Sequence, residues 1–213
     1  MAHFFFEEEP VEAPAKEQPS PSPIRPALST LFEYVELFAI TAVVILLVTL
    51  FCFRHAVVDG DSMNATLSDK EHLLVYDLFY SPKQGDIIVF ESEEETGLAE
   101  PLVKRVIATE GQTVAVFRDR IEVDGKALDE PYAYLHGSNF HDYLSYGHAY
   151  GVPSTVLDGE ECFLYRVGED EVFVMGDNRF NSYDGRMFGP ISEDCVLGKV
   201  LLRILPLREF GGV

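Results

Sequence analysis

The sequence predicts a mainly β protein, with antiparallel β-sheets or a barrel-like arrangement behind one N-terminal transmembrane helix. Three observations carry this. A single apolar run, Leu37 to Phe53, reaches membrane length. Beyond Ala56, short β-favouring runs alternate with turn signals. After the apolar run, no segment shows helical periodicity of useful length.

Residues 1 to 30 read as a disordered tail. Glu7-Glu8-Glu9 and Gln18-Pro19-Ser20-Pro21-Ser22-Pro23 cannot bury enough apolar surface to offset the entropy of ordering. Phe4-Phe5-Phe6 is out of character there and has no assigned role.

Residues 31 to 55 read as the anchor. The 17 residues from Leu37 to Phe53 carry no charge, and that length is at the short end for ~30 Å of hydrocarbon. Leu31, Phe32, Tyr34 and Val35 extend the run, with Glu33 and Glu36 near the headgroups. A cleaved signal peptide has a shorter apolar core, a basic start and a small-residue exit. Here a long acidic tail precedes the run and Arg54-His55 follows it, so an uncleaved signal anchor is expected. Charge does not orient it, because Lys16 and Arg25 lie before the span and Arg54 directly after it.

Residues 56 to 213 read as one folded domain. Strands are expected at His72 to Tyr76, Asp86 to Phe90, Leu102 to Ala108, Thr113 to Phe117, Ile121 to Val123, Val172 to Met175 and Val196 to Leu202. Ser81-Pro82-Lys83-Gln84-Gly85 and Asp124-Gly125 supply turns. Residues 91 to 100 read as a surface loop, and 134 to 160 as a loop-rich insertion.

Composition excludes some functions. Against 16 basic residues stand 36 acidic ones, a net charge of -20. Nucleic-acid binding needs clustered Lys and Arg, so no nucleic-acid partner is expected. A general electrostatic grip on anionic lipid is also unexpected. Cys52, Cys162 and Cys195 lack metal-ligand spacing and read as free thiols.

Gly60-Asp61-Ser62-Met63-Asn64-Ala65-Thr66-Leu67, just beyond the span, offers an exposed hydroxyl, and Ser62 is a candidate nucleophile. It lacks the second glycine of a G-x-S-x-G elbow. The histidines are poorly placed to serve it: His3 is in the tail, His55 at the membrane edge, His72 in a strand, and His136, His141 and His148 in the insertion. The other base that works with serine is a neutral lysine, which must be desolvated to accept a proton near neutral pH. Lys104 lies in Leu102-Val103-Lys104-Arg105-Val106-Ile107, between apolar neighbours. An edge-strand lysine reaching out to water stays open as the plainer reading. A third polar stretch, Met175 to Arg186, offers Gly176 for close backbone approach and two arginines, Arg179 and Arg186, that could pair with Asp177 and Asp184. Its Ser182 could orient a free amine.

Together these stretches resemble the bacterial type I signal peptidases, in their Gram-positive-like branch. The matching segments are Ser62 to Leu67, Gln84 to Phe90, Val103 to Ala108, and Phe173 to Arg179 continuing through Arg186, in the family's order behind an N-terminal span. The resemblance implies a membrane-bound serine endopeptidase with Ser62 as nucleophile and Lys104 as general base. Ser182 would hold the amine, Asp184 and Arg186 would buttress the site, and Gly176 and Asp177 would support its loop. It also implies a cytosolic tail, an extracytoplasmic catalytic domain at the plasma membrane, lipid contact, signal peptides of exported preproteins as substrates, and no metal or cofactor. Val57, Val58, Met63 and Leu102 would line the substrate groove. Gly60 carries no hydroxyl, as in the Gram-positive branch, and two positions depart from the family's pattern: Ala65 stands where proline is usual, and Gly185 where serine is usual. A self-cleaving Ser-Lys protein, or a membrane-tethered binding module of the same fold, would share much of this pattern.

Overall fold

The structure is a computed structural model and describes residues 24–64, 66–133 and 142–213. The N-terminal tail up to residue 23, Ala65, His136 and His141 lie outside the described residues. The chain divides into two compact units, one ending at Leu46 and the other running from Leu47 to Val213.

Helix α1 spans Ile24–Cys52. It begins seven residues before position 31, within the stretch read as tail. Pro26 does not prevent this, because it sits in the first turn, where a missing N–H costs no hydrogen bond. Leu28–Cys52 forms an apolar stretch of 25 residues whose side chains are exposed. At 1.5 Å per residue that is long enough to cross hydrocarbon. A helix with so apolar a stretch, none of whose membrane-length window is buried among the described residues, is suited to lipid.

The second unit is β-rich. In chain order it contains β1 (Phe53–Val57), β2 (His72–Tyr76), β3 (Ile87–Phe90), α2 (Glu93–Thr96), β4 (Leu102–Thr109), β5 (Thr113–Phe117), β6 (Ile121–Val123) and β7 (Lys126–Ala127). These are followed by α3 (Tyr143–Ala149), β8 (Thr155–Leu157), β9 (Glu160–Arg166), β10 (Glu171–Met175), α4 (Gly185–Phe188), β11 (Ile191–Ser192), β12 (Val196–Leu205) and β13 (Gly211–Gly212). One sheet has the order β1-β2-β12-β3-β4-β10-β11, with β13 also on β12, and the other has the order β7-β6-β5-β9-β8. Every pairing is antiparallel. Register shifts interrupt β12 against both of its long neighbours and β10 against β4. Such bulges bend a strand and increase its twist, so the large sheet curls.

Strand β3 shows why the runs read as strands. Alternation sends Ile87 and Val89 to one face and Ile88 and Phe90 to the other. The first pair packs with Val58, Met63, Leu67, Leu73, Val75 and Val200. The second packs with Val106, Val172, Val174 and Ile191. A third core joins the two sheets, with Ile107, Val114, Phe163, Phe173 and Met175 among its members.

The insertion holds more regular structure than its composition suggested: α3 and β8 both fall within 142–160. Tyr143 and Leu144 are buried in the third core, which explains how a Tyr- and Gly-rich segment becomes helical. Strands β1 (Phe53–Val57) and β9 (Glu160–Arg166) carry no clear strand signal in the sequence. The first continues directly from the apolar run and the second is polar at its start. In the 91–100 loop, α2 is a single turn, N-capped by Ser92 and closed by Gly97 at φ 71°. All three cysteines are free thiols.

Candidate active site

Ser62 sits on a turn of helix-like backbone that follows β1. Leu67 N–H bonds to Met63 O at 2.8 Å, and Thr66 N–H to the same oxygen at 2.9 Å. Buried Met63 and Leu67 fasten the turn to the core. At the turn's start Gly60 has φ 88°, a conformation costly for any other residue, and its N–H bonds to Asp69 Oδ1 at 2.9 Å. Ser62 is thus half-buried at the rim of a rigid loop.

Lys104 reaches it from β4. Its Nζ lies 2.9 Å from Ser62 Oγ and 3.1 Å from Val103 O. Lys104 is 2 % exposed. Burial is the main cause that brings its pKa down to about 8; Asp184 and Asp177 oppose this, and Arg186 adds to it. A lysine with that environment is partly neutral near physiological pH. The described histidines bond elsewhere: His55 pairs with His72 across β1 and β2, and His148 with Glu161.

The loop after β10 closes the site from the other side. Asn178 N–H donates to Ser62 O at 3.0 Å, and Asn178 Nδ2 donates to Asp61 O at 3.0 Å. A Cβ on Gly176 would lie 2.2 Å from Ser182 Oγ and 2.5 Å from Ser62 O, so only glycine fits. Asp184 is fully buried and accepts from Gly176 N–H at 3.0 Å and from Arg186 Nε and Nη2 at 2.8 and 2.9 Å. Burial alone would push its carboxyl up. Arg186 and the Gly176 amide outweigh that and hold it below the ordinary carboxylate range. Asp184 also caps α4. Gly185, at the following position, is tight against Val174 O, where a Cβ would come within 2.7 Å.

Several expected placements differ. Asp177 does not pair with Arg179. It accepts from Arg105 Nε and Nη2 at 2.8 and 2.6 Å. The cause is register: β10 lies against β4 with Met175 opposite Arg105, which puts Asp177 within reach of that guanidinium. Arg179 turns to Glu130 instead, at 2.5 Å. Thr66 Oγ1 also donates to Asp177. Ser182 is buried beside Gly176, and its Oγ has no hydrogen-bond partner of ordinary geometry; the hydrogen bonds of Lys104 Nζ go to Ser62 and Val103. Arg105, Glu130 and Thr66 were not singled out from the sequence. For Arg105 a signal existed, since it is a second charge within an apolar strand.

A cleft of ≈ 310 Å³ lies beside Val103, the chain neighbour of Lys104, and Val57, Val75, Val89, Leu197, Asp59 and Glu100 are among the other residues that line it. Of the four residues expected in the groove, Val57 lines it. Val58 and Met63 are turned into the core. Leu102 packs on the Ile88–Phe90 cluster, and Val103 takes the cleft side, because strand neighbours face opposite ways. Among the described residues, two backbone edges beside the cleft have no strand partner. Strand β1 is terminal in its sheet, and β10 pairs with β4 only from Arg105 onward, leaving Leu102–Lys104 open on that side.

Comparison with known proteins agrees over most of the chain. A protein-family model described as "Signal peptidase, peptidase S26" matches residues 31–205. The probable signal peptidase I-1 of Synechocystis sp. is 31% identical over 89% of this chain and 90% of its own length. Signal peptidase I of Bacillus caldolyticus is 36% identical over 76% of this chain and 84% of its own. A crystal structure of a signal peptidase I from Enterococcus faecalis V583 is 26% identical, covers 56% of this chain and 97% of that chain, and superposes with a TM-score of 0.39. One apolar N-terminal helix fits a single-pass membrane protein.

Proposed function

This chain belongs to the signal peptidase family, peptidase S26, and is a serine endopeptidase that cleaves signal peptides; from that premise we propose that Ser62 is its nucleophile and Lys104 its general base. The observation that carries the assignment is the 2.9 Å contact between Lys104 Nζ and Ser62 Oγ around a buried amine. Once neutral, Lys104 takes the proton from Ser62 Oγ as that oxygen attacks the scissile carbonyl. Negative charge develops on the carbonyl oxygen and is met by the Ser62 N–H. Gly60 provides no hydroxyl to add a second donor. The ammonium of Lys104 then gives its proton to the leaving amine, and the mature chain departs with a free N-terminus. The signal peptide stays as an ester on Ser62. A water deprotonated by Lys104 attacks this ester, the peptide leaves as a carboxylate, and Ser62 recovers its proton.

Asp184 and Arg186 hold the loop that carries Gly176, and Gly176 fits the space beside Ser62 and Ser182. Ser182, buried next to them, serves the neutral amine when it must be oriented. An extended substrate lies between the open edges of β1 and of Leu102–Lys104, in the manner of strand addition. Val57 and Val103 give the cleft apolar lining there, and small side chains before the cut are expected to sit against it. Helix α1 tethers the enzyme to the membrane, with the catalytic domain on the extracytoplasmic side.

Cleavage of a preprotein by the full chain in detergent tests this. Ser62→Ala and Lys104→Ala are each expected to lose about 10³-fold or more in rate. Equal cleavage by wild type and both variants sinks the dyad. Sidedness is checked by labelling cysteines placed in the exposed β8–β9 turn of intact cells: a domain that only reacts after lysis is on the inner side.

A further inference from the structure

We propose that Glu130 and Tyr132, on the arm that follows β7, are positioning residues that set the geometry of the catalytic loop through Arg179 and Arg105. The proposal rests on the Ser62–Lys104 reading. Four consecutive residues of the loop each make a contact that bears on the site. Gly176 lies against Ser62 O, Asp177 holds Arg105, Asn178 donates to Ser62 O, and Arg179 Nε donates to Gly176 O at 2.9 Å. Arg179 therefore fastens the glycine whose close approach the nucleophile requires.

Arg179 is fully buried, and its charge must be met where it lies. Glu130, itself 9 % exposed at the side chain, meets it at 2.5 Å. The Tyr132 ring covers both guanidinium groups that hold the loop. Arg105 Cζ lies 4.0 Å from its centroid and Arg179 Cζ 5.8 Å. Such stacking favours the planar guanidinium over other cations. From the start of α3, Tyr143 places a second ring 5.8 Å from Arg179.

The arm is itself anchored. Leu128 N–H bonds to Ile121 O at 2.8 Å, and Ala133 N–H closes a turn onto Glu130 O at 3.0 Å. Leu128 packs on the core that joins the sheets. The smaller sheet thus reaches the active site through two side chains, and neither of them contacts Ser62 or Lys104 in any described hydrogen bond. A loosened loop would admit water to Lys104, whose charged surroundings are Asp184, Arg186 and Asp177. Rehydration favours the ammonium, so the amine would titrate at higher pH.

The test uses the full chain in detergent with a preprotein substrate, and compares Glu130→Ala, Glu130→Gln, Tyr132→Leu and Tyr132→Phe with Ser62→Ala. Glu130→Ala and Tyr132→Leu are expected to lower kcat about 10- to 100-fold with KM little changed, because a small misplacement of reacting groups costs on that order. Their pH–rate midpoints are expected to move upward. Tyr132→Phe keeps the ring and is expected to stay near wild type, with Glu130→Gln between the extremes. The proposal is overturned if Glu130→Ala and Tyr132→Leu keep the wild-type kcat and midpoint. It is equally overturned if their loss merely follows the fraction unfolded by calorimetry, with the midpoint unmoved. Undiminished cleavage by Ser62→Ala instead overturns the dyad on which the proposal rests, whatever the arm variants do.

Discussion

Gly176 and Ser62 meet so closely that a Cβ on the glycine would sit 2.5 Å from the serine's carbonyl oxygen. The same Cβ would come within 2.2 Å of Ser182 Oγ. Two neighbours would have to move, and one of them is the backbone of the nucleophile. Gly176→Ala is therefore expected to fold with a lowered melting temperature and to lose about 100-fold in kcat. Cleavage assays beside a thermal melt check this. An unchanged kcat would show that the serine loop yields without consequence.

The environment of Lys104 sets the direction of the pH–rate profile. Burial lowers its pKa to about 8, and only the neutral amine can accept a proton. The rate is expected to rise through pH 8 and to level off above it, until other groups titrate. Single-turnover cleavage from pH 6 to 10 measures this. A profile that falls over that interval rules out a lysine base.

The same burial carries a stability cost at low pH. In the unfolded chain Lys104 titrates near its ordinary 10.5, and in the fold near about 8. Between those values the unfolded state binds the extra proton, so stability rises with pH across that window, and the penalty is full below it. Replacing the amine by an apolar group of similar length removes the penalty. Lys104→Met is expected to be more stable than wild type at pH 6 by up to about 3 kcal/mol, with the gain shrinking toward pH 10. Urea melts at pH 6, 8 and 10 test this, and a variant less stable than wild type at pH 6 contradicts it.

Asp184 has the opposite sign. Its folded pKa lies below the unfolded 3.8, so its contribution is present above that pH and is lost as the pH falls through the folded value. Asp184→Asn leaves the Arg186 guanidinium buried with a neutral partner and is expected to cost about 3–5 kcal/mol at neutral pH. The deficit is expected to narrow as the pH falls below 3.8, where the unfolded wild type takes up the proton first, and to be smallest below the folded value, where the folded carboxylate is neutralised too. Acid-titrated melts of both proteins decide it. A deficit constant with pH would mean that the carboxylate's charge does not matter.

Much of this was legible in the chain because its causes are local. Ile87-Ile88-Val89-Phe90 reads as a strand because alternate side chains must go to opposite faces, and both faces proved to be covered. Asp124-Gly125 reads as a turn because both residues tolerate positive φ, and both have it. Strand β9 and helix α3 were not legible, because Phe163 and Leu144 are called to their places by one distant core.

The sequence by itself determined the apolar span, the antiparallel β class, the polar stretches around Ser62 and Gly176 and the apolar strand that carries Lys104, since each depends on composition or spacing within a few residues. Only the tertiary structure decided who pairs with whom. Asp177 takes Arg105 and not Arg179, its neighbour in sequence, Arg179 takes Glu130 from the arm after β7, and Val103 faces the cleft in place of Leu102. Charge partners and strand faces follow from register. Register is set when the whole core closes, and no local stretch of chain contains that information.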